Sequence, residues 1–279
     1  MYFIFDIGGT KIRAAYSRDG QTFGVPRVIA TPPGAATGVV EIATLARELS
    51  AGGVIRRAAG GVASPFGERG EILAHPPHLP GWAGVALRRE LERALGAPVA
   101  IENDAALAGL GEAHAGAGKG ARIIAYLTVS TGVGGTRIVD GALDRAAFGF
   151  EPGHQIIDLV GAGSGTRAGT LEDFISGTAV ERRFGTPPAN IVNPAVWDEL
   201  ARYLAYGLHN TIVHWSPEAV VLGGSMMLGK NGIKVEKVRE HLSRVSTIFP
   251  KLPEIRQATL GDFGGLHGAL ALLRQSEAR

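Results

Sequence analysis

Two unbroken apolar runs, Tyr2 to Phe5 and Ile123 to Val129, each lead into a reversal and then a second run, Ile12 to Tyr16 and Arg137 to Val139. Runs of this kind predict buried strands, and the reversals make each pair a hairpin. Elsewhere the apolar positions step by three and four. Ile42, Leu45 and Leu49 predict a helix over 38–49, closed by Gly52 and Gly53. Leu87, Leu91 and Leu95 predict another, ended by Gly96 and Pro98, and Val99 to Ile101 follows as a short buried strand. Trp197, Leu200, Leu204, Leu208, Ile212 and Trp215 mark a long amphipathic helix before Pro217, with both tryptophans read as core. Further strands are expected at 54–63 and 219–222, and helices at 105–115, 233–245 and 266–273. Strands alternating with helices in this way predict an α/β fold.

The first reversal reads Asp6-Ile-Gly-Gly-Thr-Lys11. Two glycines between strands let bare backbone N–H groups approach an anion, which suits a phosphate. The order Gly8, Gly9, Thr10, Lys11, Ile12 returns as Gly134, Gly135, Thr136, Arg137, Ile138, preceded by Ser130-Thr131-Gly132. The echo predicts a duplicated unit with a phosphate hairpin in each copy. Two such hairpins on related domains would face each other across a cleft and hold one polyphosphate from both sides.

At 279 residues the chain has room for two domains of about 100–150 residues. The glycine-rich connector Gly116 to Gly120 is the expected boundary, giving domains over 1–115 and 116–264, with the closing helix, 265–279, returning to the first. The net charge is only +2, and no basic track or aromatic-interleaved basic stripe appears, so nucleic acid is not an expected partner. There is no cysteine, which removes disulfides, thiolate nucleophiles and Cys-ligated zinc. No leader-like segment opens the sequence and no apolar run reaches about 18 residues, so a cytoplasmic protein without a membrane span is expected.

Three stretches carry candidate chemistry. Glu102-Asn103-Asp104 lies where a strand hands over to an alanine-rich helix. There Asp104 can serve as an N-cap or as a base, and a helix N-terminus favours its ionised form. Glu151 and His154 stand three residues apart and can converge on one ligand. Val221-Leu-Gly-Gly224 opens a strand end onto Gly223 and Gly224, leaving space for a flat group against backbone. The loop around His75 to Trp82, with Pro76, Pro77 and Pro80 after the earlier Pro65, reads as a rigid loop of the kind that lines sites, with Trp82 as a packing anchor.

In their order, these motifs resemble the ROK family of sugar kinases, in the actin-like ATPase superfamily with its two ribonuclease-H-like domains and an interdomain active-site cleft. The resemblance rests on Asp6 to Lys11, Leu79-Pro-Gly-Trp82, Glu102-Asn-Asp104, Thr131-Gly-Val-Gly-Gly135 and Glu151-x-Gly-His154. Leu171-Glu172 with Ser176-Gly177, Val221 to Gly224 and Leu260-Gly-Asp262 complete it. It implies phosphoryl transfer from ATP to a hexose hydroxyl, the sixth for an aldohexose such as glucose. Asp104 resembles the catalytic base, and Asn103, Asp104, Glu151, His154 and Glu172 resemble the sugar ligands. Gly8, Gly9, Thr10 and Lys11, with Thr131, Gly132, Val133 and Gly134, look like the phosphate loops. Asp6 stands near Mg²⁺, through phosphate or water, and Gly223 and Gly224 resemble the adenosine contact. Homodimers are common in such families.

Two departures stand out. Where many members carry Cys-x-Cys-x4-Cys, this chain has Gly163-Ser-Gly-Thr-Arg-Ala-Gly-Thr170, so no structural zinc is expected. His78 stands where the family often has Asn before Leu-Pro-Gly-Trp. Both bear on which sugar is used more than on the reaction. Other readings are a kinase for fructose, mannose or an N-acetylhexosamine, a polyphosphate-dependent kinase, and a sugar sensor with weak turnover. The DNA-binding repressor branch carries a helix-turn-helix before the first strand. Here Met1 leads straight into that strand, so that role is not expected.

Overall fold

The computed structural model describes residues 1–64, 73, 78–144, 146–147, 149–159 and 169–277. The sequence readings of Pro65, of His75 to Pro77 and of 163–168 fall outside them, although Gly169 and Thr170 are described as a short strand.

The chain divides into two compact units, one of Met1–Ala115, Arg145–Gly149 and Asp262–Arg279, the other of Gly116–Asp144 and Phe150–Gly261. The first holds strands β1 (Tyr2–Ile7), β2 (Lys11–Ser17) and β3 (Arg27–Ala30), helix α1 (Ala35–Leu49) and strand β4 (Arg57–Val62). Helix α2 (Leu87–Leu95), strand β5 (Val99–Asn103) and helix α3 (Asp104–Ala115) follow. The second unit begins with β6 (Ile123–Val129), β7 (Val133–Val139), β8 (Ala142–Leu143), β9 (Ile156–Asp158) and β10 (Gly169–Thr170). It continues through helices α4 (Leu171–Ile175), α5 (Gly177–Phe184) and α6 (Pro194–Trp215), strand β11 (Ala219–Gly223), helices α7 (Ser225–Leu228) and α8 (Val235–Val245), and strand β12 (Glu254–Gln257). Helix α9 (Gly264–Glu277) ends the chain in the first unit.

The two five-stranded sheets have the same plan. Their orders are β3-β2-β1-β4-β5 and β12-β11-β6-β7-β8, each an antiparallel meander of three strands extended by two parallel ones. The duplication expected from the hairpins is therefore present in strand order and direction. Central strands are buried on both faces, as their unbroken apolar runs require: Phe3, Ile4, Phe5 and Ile7 in β1, and Ala219 to Gly223 along all of β11. Around β1 a core gathers Ile12, Ile42, Trp82, Leu87 and Leu91. Around β11 a second core collects Leu127, Val129 and the α6 stripe Trp197, Leu200, Leu204, Leu208 and Ile212.

The echo between the hairpins is out of register in the folded chain. Val129 pairs with Val133, so the second reversal is Ser130-Thr131-Gly132, and Gly134 and Gly135 lie inside β7 opposite Thr128 and Leu127. Gly135 is small for another reason: a Cβ there would stand 2.4 Å from the Tyr126 carbonyl and 2.7 Å from the Pro152 ring. The loop carrying Glu151 and His154 rests on this strand. Helix α9 packs on α3, and a Cβ on Gly268 would fall 1.8 Å from the Leu107 carbonyl, so the two helices run in backbone contact. That contact fixes α3, whose first residue is Asp104, against the helix that begins beside Asp6. Among the described residues no helix is long and apolar enough to cross a membrane.

Candidate active site

In the first unit the reversal between β1 and β2 is held by its carbonyls. Thr31 takes both: its hydroxyl donates to the Gly8 oxygen at 2.7 Å and its N–H to the Thr10 oxygen at 3.0 Å. Gly8 N–H closes the turn onto the Lys11 oxygen at 3.0 Å. The N–H groups of Gly9 and Thr10 have no acceptor among the described residues. Such a turn has its acceptors spent and its donors free, the polarity an anion requires. In the second unit the Ser130–Gly132 turn repeats it. Helix α5 begins there, and its Gly177 and Thr178 N–H groups bind the Ser130 and Thr131 oxygens at 2.7 and 3.3 Å. Ser130 N–H binds the Gly132 oxygen at 2.8 Å, and the N–H groups of Thr131 and Gly132 are free among the described residues.

Asp6, Asn103 and Asp104 come together at the strand ends beside the first turn. The hydrogen that replaces a side chain at Gly61 separates the two acids: a Cβ there would be 3.1 Å from Asp6 Oδ1 and 3.2 Å from Asp104 Cα. Asp6 Oδ1 is buried without a hydrogen-bond partner among the described residues, while Arg13 stands 3.9 Å from its other oxygen and 3.3 Å from Asp262. Burial, and then the neighbouring Asp104 charge, push the Asp6 carboxyl up to about 7 against the pull of Arg13.

The helix cap is not Asp104 but Asn103, whose Oδ1 accepts the Ala106 N–H at 3.1 Å. Asp104 itself is the first helical residue, with Oδ1 on the Ala105 N–H at 2.9 Å. Because Asn103 does the capping, the Asp104 carboxylate keeps an oxygen for other work. Its ionisation differs from the expectation that the helix end would favour the charged form. Burial raises it, outweighing the Ala105 and Asp104 N–H groups and the charge of His78, all of which lower it.

The other expected ligands belong to the second unit. Glu151 caps and His154 ends a single 3-10 turn, Pro152–His154, and both are exposed. Gln155, which sequence reasoning missed, pins this turn by donating from Nε2 to the Pro152 oxygen at 2.7 Å. Glu172 lies in α4 within the Thr170–Asp173 capping box, and its Oε2 accepts the Val133 N–H at 2.7 Å, directly beside the Ser130–Gly132 turn. Gly223 and Gly224 end β11, with Gly224 at φ +90° and Ser225 Oγ 3.1 Å from Ser130 Oγ. Next to them opens a cavity of about 410 Å³ lined by Thr131, Thr178, Trp197, Met226 and Asn231 among others. Trp197 is thus both core and cavity wall, which corrects its reading as core alone. Its indole N–H is fixed on the Ile191 oxygen at 2.9 Å. No signal in the helical spacing of α6 distinguishes the edge of a buried ring that faces a cavity.

The sequence model of the ROK family matches residues 2–276. The chain belongs to the ROK family. Among solved structures of the family it is similar to the ROK hexokinase of Thermus thermophilus, at 31% identity and a TM-score of 0.84, over 100% of this chain and 99% of that one. It is similar also to a ROK family glucokinase from Streptomyces griseus determined with glucose and AMPPNP, at 27% identity and a TM-score of 0.80, over 98% and 99% of the two chains. A glucokinase of Streptomyces coelicolor is 28% identical over 98% of this chain and 97% of its own. The fold is accordingly the two-domain α/β fold of the actin-like ATPases that ROK kinases share.

Proposed function

We propose that the chain is a sugar kinase of the hexokinase type, transferring the terminal phosphoryl group of ATP to the 6-hydroxyl of glucose or a related hexose. The observation that carries this reading is the pair of turns whose carbonyls are bonded away and whose N–H groups are left free, one of them beside a buried carboxylate at a helix start. Phosphoryl transfer asks mainly for alignment and for charge stabilisation, which fixed N–H groups provide without reorganisation.

In this reading the free N–H groups of Gly9 and Thr10, within the Gly8–Lys11 reversal, grip phosphate oxygens from the first unit, and those of Thr131 and Gly132, which open the stretch Thr131 to Gly134, do so from the second. The cavity beside Gly223 and Gly224 takes the nucleoside, with the Trp197 edge as an apolar wall. Asn103, Glu151, His154 and Glu172 bind sugar hydroxyls, with Asn103 and Glu172 oriented by their bonds to the Ala106 and Val133 N–H groups. Asp104 accepts the proton of the attacking hydroxyl on a carboxylate oxygen as the new O–P bond forms, help typically worth about 10² to 10⁴ in rate.

The buried, unpartnered Oδ1 of Asp6 fits a cation, although no cluster of three or more metal-binding side chains occurs among the described residues. Asp6 would hold Mg²⁺ directly or through phosphate or water, and the ion when bound neutralises charge on the phosphate oxygens. The test is ADP formation from Mg-ATP with a panel of hexoses and N-acetylhexosamines, beside polyphosphate as donor and an Asp104→Asn variant. Sugar-dependent turnover that collapses in the variant is expected. Sugar binding without turnover, from either donor, would replace the kinase by a sensor.

A further inference from the structure

His78 is the residue at which the sequence departs from its family beside the site, and the fold places it with care. A Cβ on Gly9 would stand 2.7 Å from His78 Cβ, 3.1 Å from its carbonyl oxygen and 3.6 Å from Cγ, so the root of the imidazole lies directly over the first phosphate turn. The next residues lock it there. Leu79 and Trp82 are buried, and Trp82 N–H closes on the Leu79 oxygen at 2.8 Å. The Trp82 indole donates to the Pro32 oxygen at 3.0 Å, and a Cβ on Gly81 would meet the Pro33 oxygen at 2.1 Å. Pro32 and Pro33 follow Thr31, the residue that holds both carbonyls of the same turn. One clamp therefore sets the turn and His78 together. The imidazole is exposed, and it stands close enough to Asp104 for its charge to act on that carboxyl.

We propose that His78 is a further catalytic residue, donating a ring N–H to a non-bridging oxygen of the phosphoryl group as it passes from ATP to the sugar. The inference rests on the kinase reading. In the step the sugar oxygen bonds to the γ-phosphorus, the bond to the β–γ bridging oxygen breaks and leaves with ADP, and the hydroxyl proton goes to Asp104. His78 forms no covalent bond. A group poised between the phosphate turn and the base meets the charge where it develops, so its contact strengthens in the transition state rather than in the ground state. An Asn at this place offers an amide N–H in place of the ring N–H.

The test compares wild type, His78→Ala and His78→Asn with Mg-ATP and the preferred hexose, and measures trapping of ADP with aluminium fluoride and sugar. His78→Ala is expected to lower kcat on the order of 10- to 100-fold with both KM values within about threefold, and to weaken the trapped complex in proportion. His78→Asn should recover part of both. An unchanged kcat with a raised sugar KM would assign His78 to sugar recognition and overturn the proposal, as would no change at all. His78→Ala that loses thermal stability leaves His78→Asn to decide: kcat and trapping equal to wild type in a folded His78→Asn protein overturn the requirement for an imidazole. Wild-type turnover abolished by Asp104→Asn keeps the kinase reading whatever His78 shows. A wild type inactive with every hexose removes both.

Discussion

A Cβ on Gly265 would stand 2.9 Å from the Asp6 Cγ and 3.0 Å from its Oδ2, so helix α9 begins against the carboxylate at the end of β1. A methyl there has nowhere to go unless Asp6 moves. Gly265→Ala should therefore depress kcat/KM by about 10-fold or more, because a displacement near 1 Å at a positioned group is enough for that. Stability should move the other way or little, since alanine in a helix is favoured over glycine by about 1 kcal/mol. Activity assays beside thermal melts check the split. A variant that melts early and keeps its specific activity would show that Gly265 serves packing alone.

The Asp6 carboxyl, ordinarily near 3.8, is held at about 7 in the folded chain. Between those values the native state keeps a proton that the unfolded chain releases, so stability falls as pH rises through that window. The effect is bounded at about 4 kcal/mol. Melting temperatures measured from pH 4 to 8 without ligand should decline, and Asp6→Asn should flatten the decline. A wild-type stability that climbs across this range, or a slope unchanged in Asp6→Asn, would contradict the assignment.

Asp104 gives a separate pH signature. As the proposed base it must be ionised, and burial holds its carboxyl above the ordinary aspartate value. The activity of the free enzyme should fall as pH drops through that raised value, so the acid limb of kcat/KM lies above the ordinary carboxylate range. A limb near 3.8, the ordinary value, would mean that the backbone N–H groups prevail over burial.

What the sequence made legible follows from how strongly each element is patterned. Helices α2 and α6 announce themselves through apolar steps of three and four, and the central strands through unbroken runs. The strands β3, β9 and β10 carry no such signal: β3 is mostly exposed at a sheet edge, and β9 and β10 are two or three residues long. The first reversal, Gly8 to Lys11, was readable because its glycines sit between β1 and β2. The second reversal was misplaced by the likeness to Gly134 and Gly135, which lie inside β7, and the smallness of Gly135 answers to Pro152 across the sheet face and not to a turn. Asp104 was found at its helix start, but its raised ionisation was not, because a helix end can be seen in sequence and the degree of burial cannot. The bond from Glu172 to Val133 and the cavity edge of Trp197 are likewise tertiary facts.

Glu172, a proposed sugar ligand, also accepts the Val133 N–H beside the Ser130–Gly132 turn. Glu172→Ala should therefore raise the KM of both sugar and ATP, the sugar by about 10-fold or more, since a buried N–H loses its acceptor. Glu172→Gln retains a carbonyl for Val133, so its ATP KM should stay close to wild type while the sugar KM rises. Equal effects of the two variants on both substrates would separate Glu172 from the turn.

Gly224 and Ser225 test the nucleoside side of the proposal. Gly224 holds φ at +90°, and a Cβ on it would stand 2.2 Å from the Val129 oxygen, at the strand end that feeds the Ser130–Gly132 turn. Neither the dihedral nor the backbone oxygen can yield cheaply. Gly224→Ala should push α7 and the cavity wall off the turn, raising the KM for ATP about 10-fold or more and lowering the melting temperature by several degrees. Ser225→Ala removes only a hydroxyl that meets Ser130 Oγ at 3.1 Å, and should cost about 1 kcal/mol or less with ATP affinity nearly retained. Isothermal titration with AMPPNP in the two variants separates these outcomes. If Gly224→Ala binds the nucleotide as wild type does, the cavity beside β11 is not its site, and the donor must be held by the turns alone.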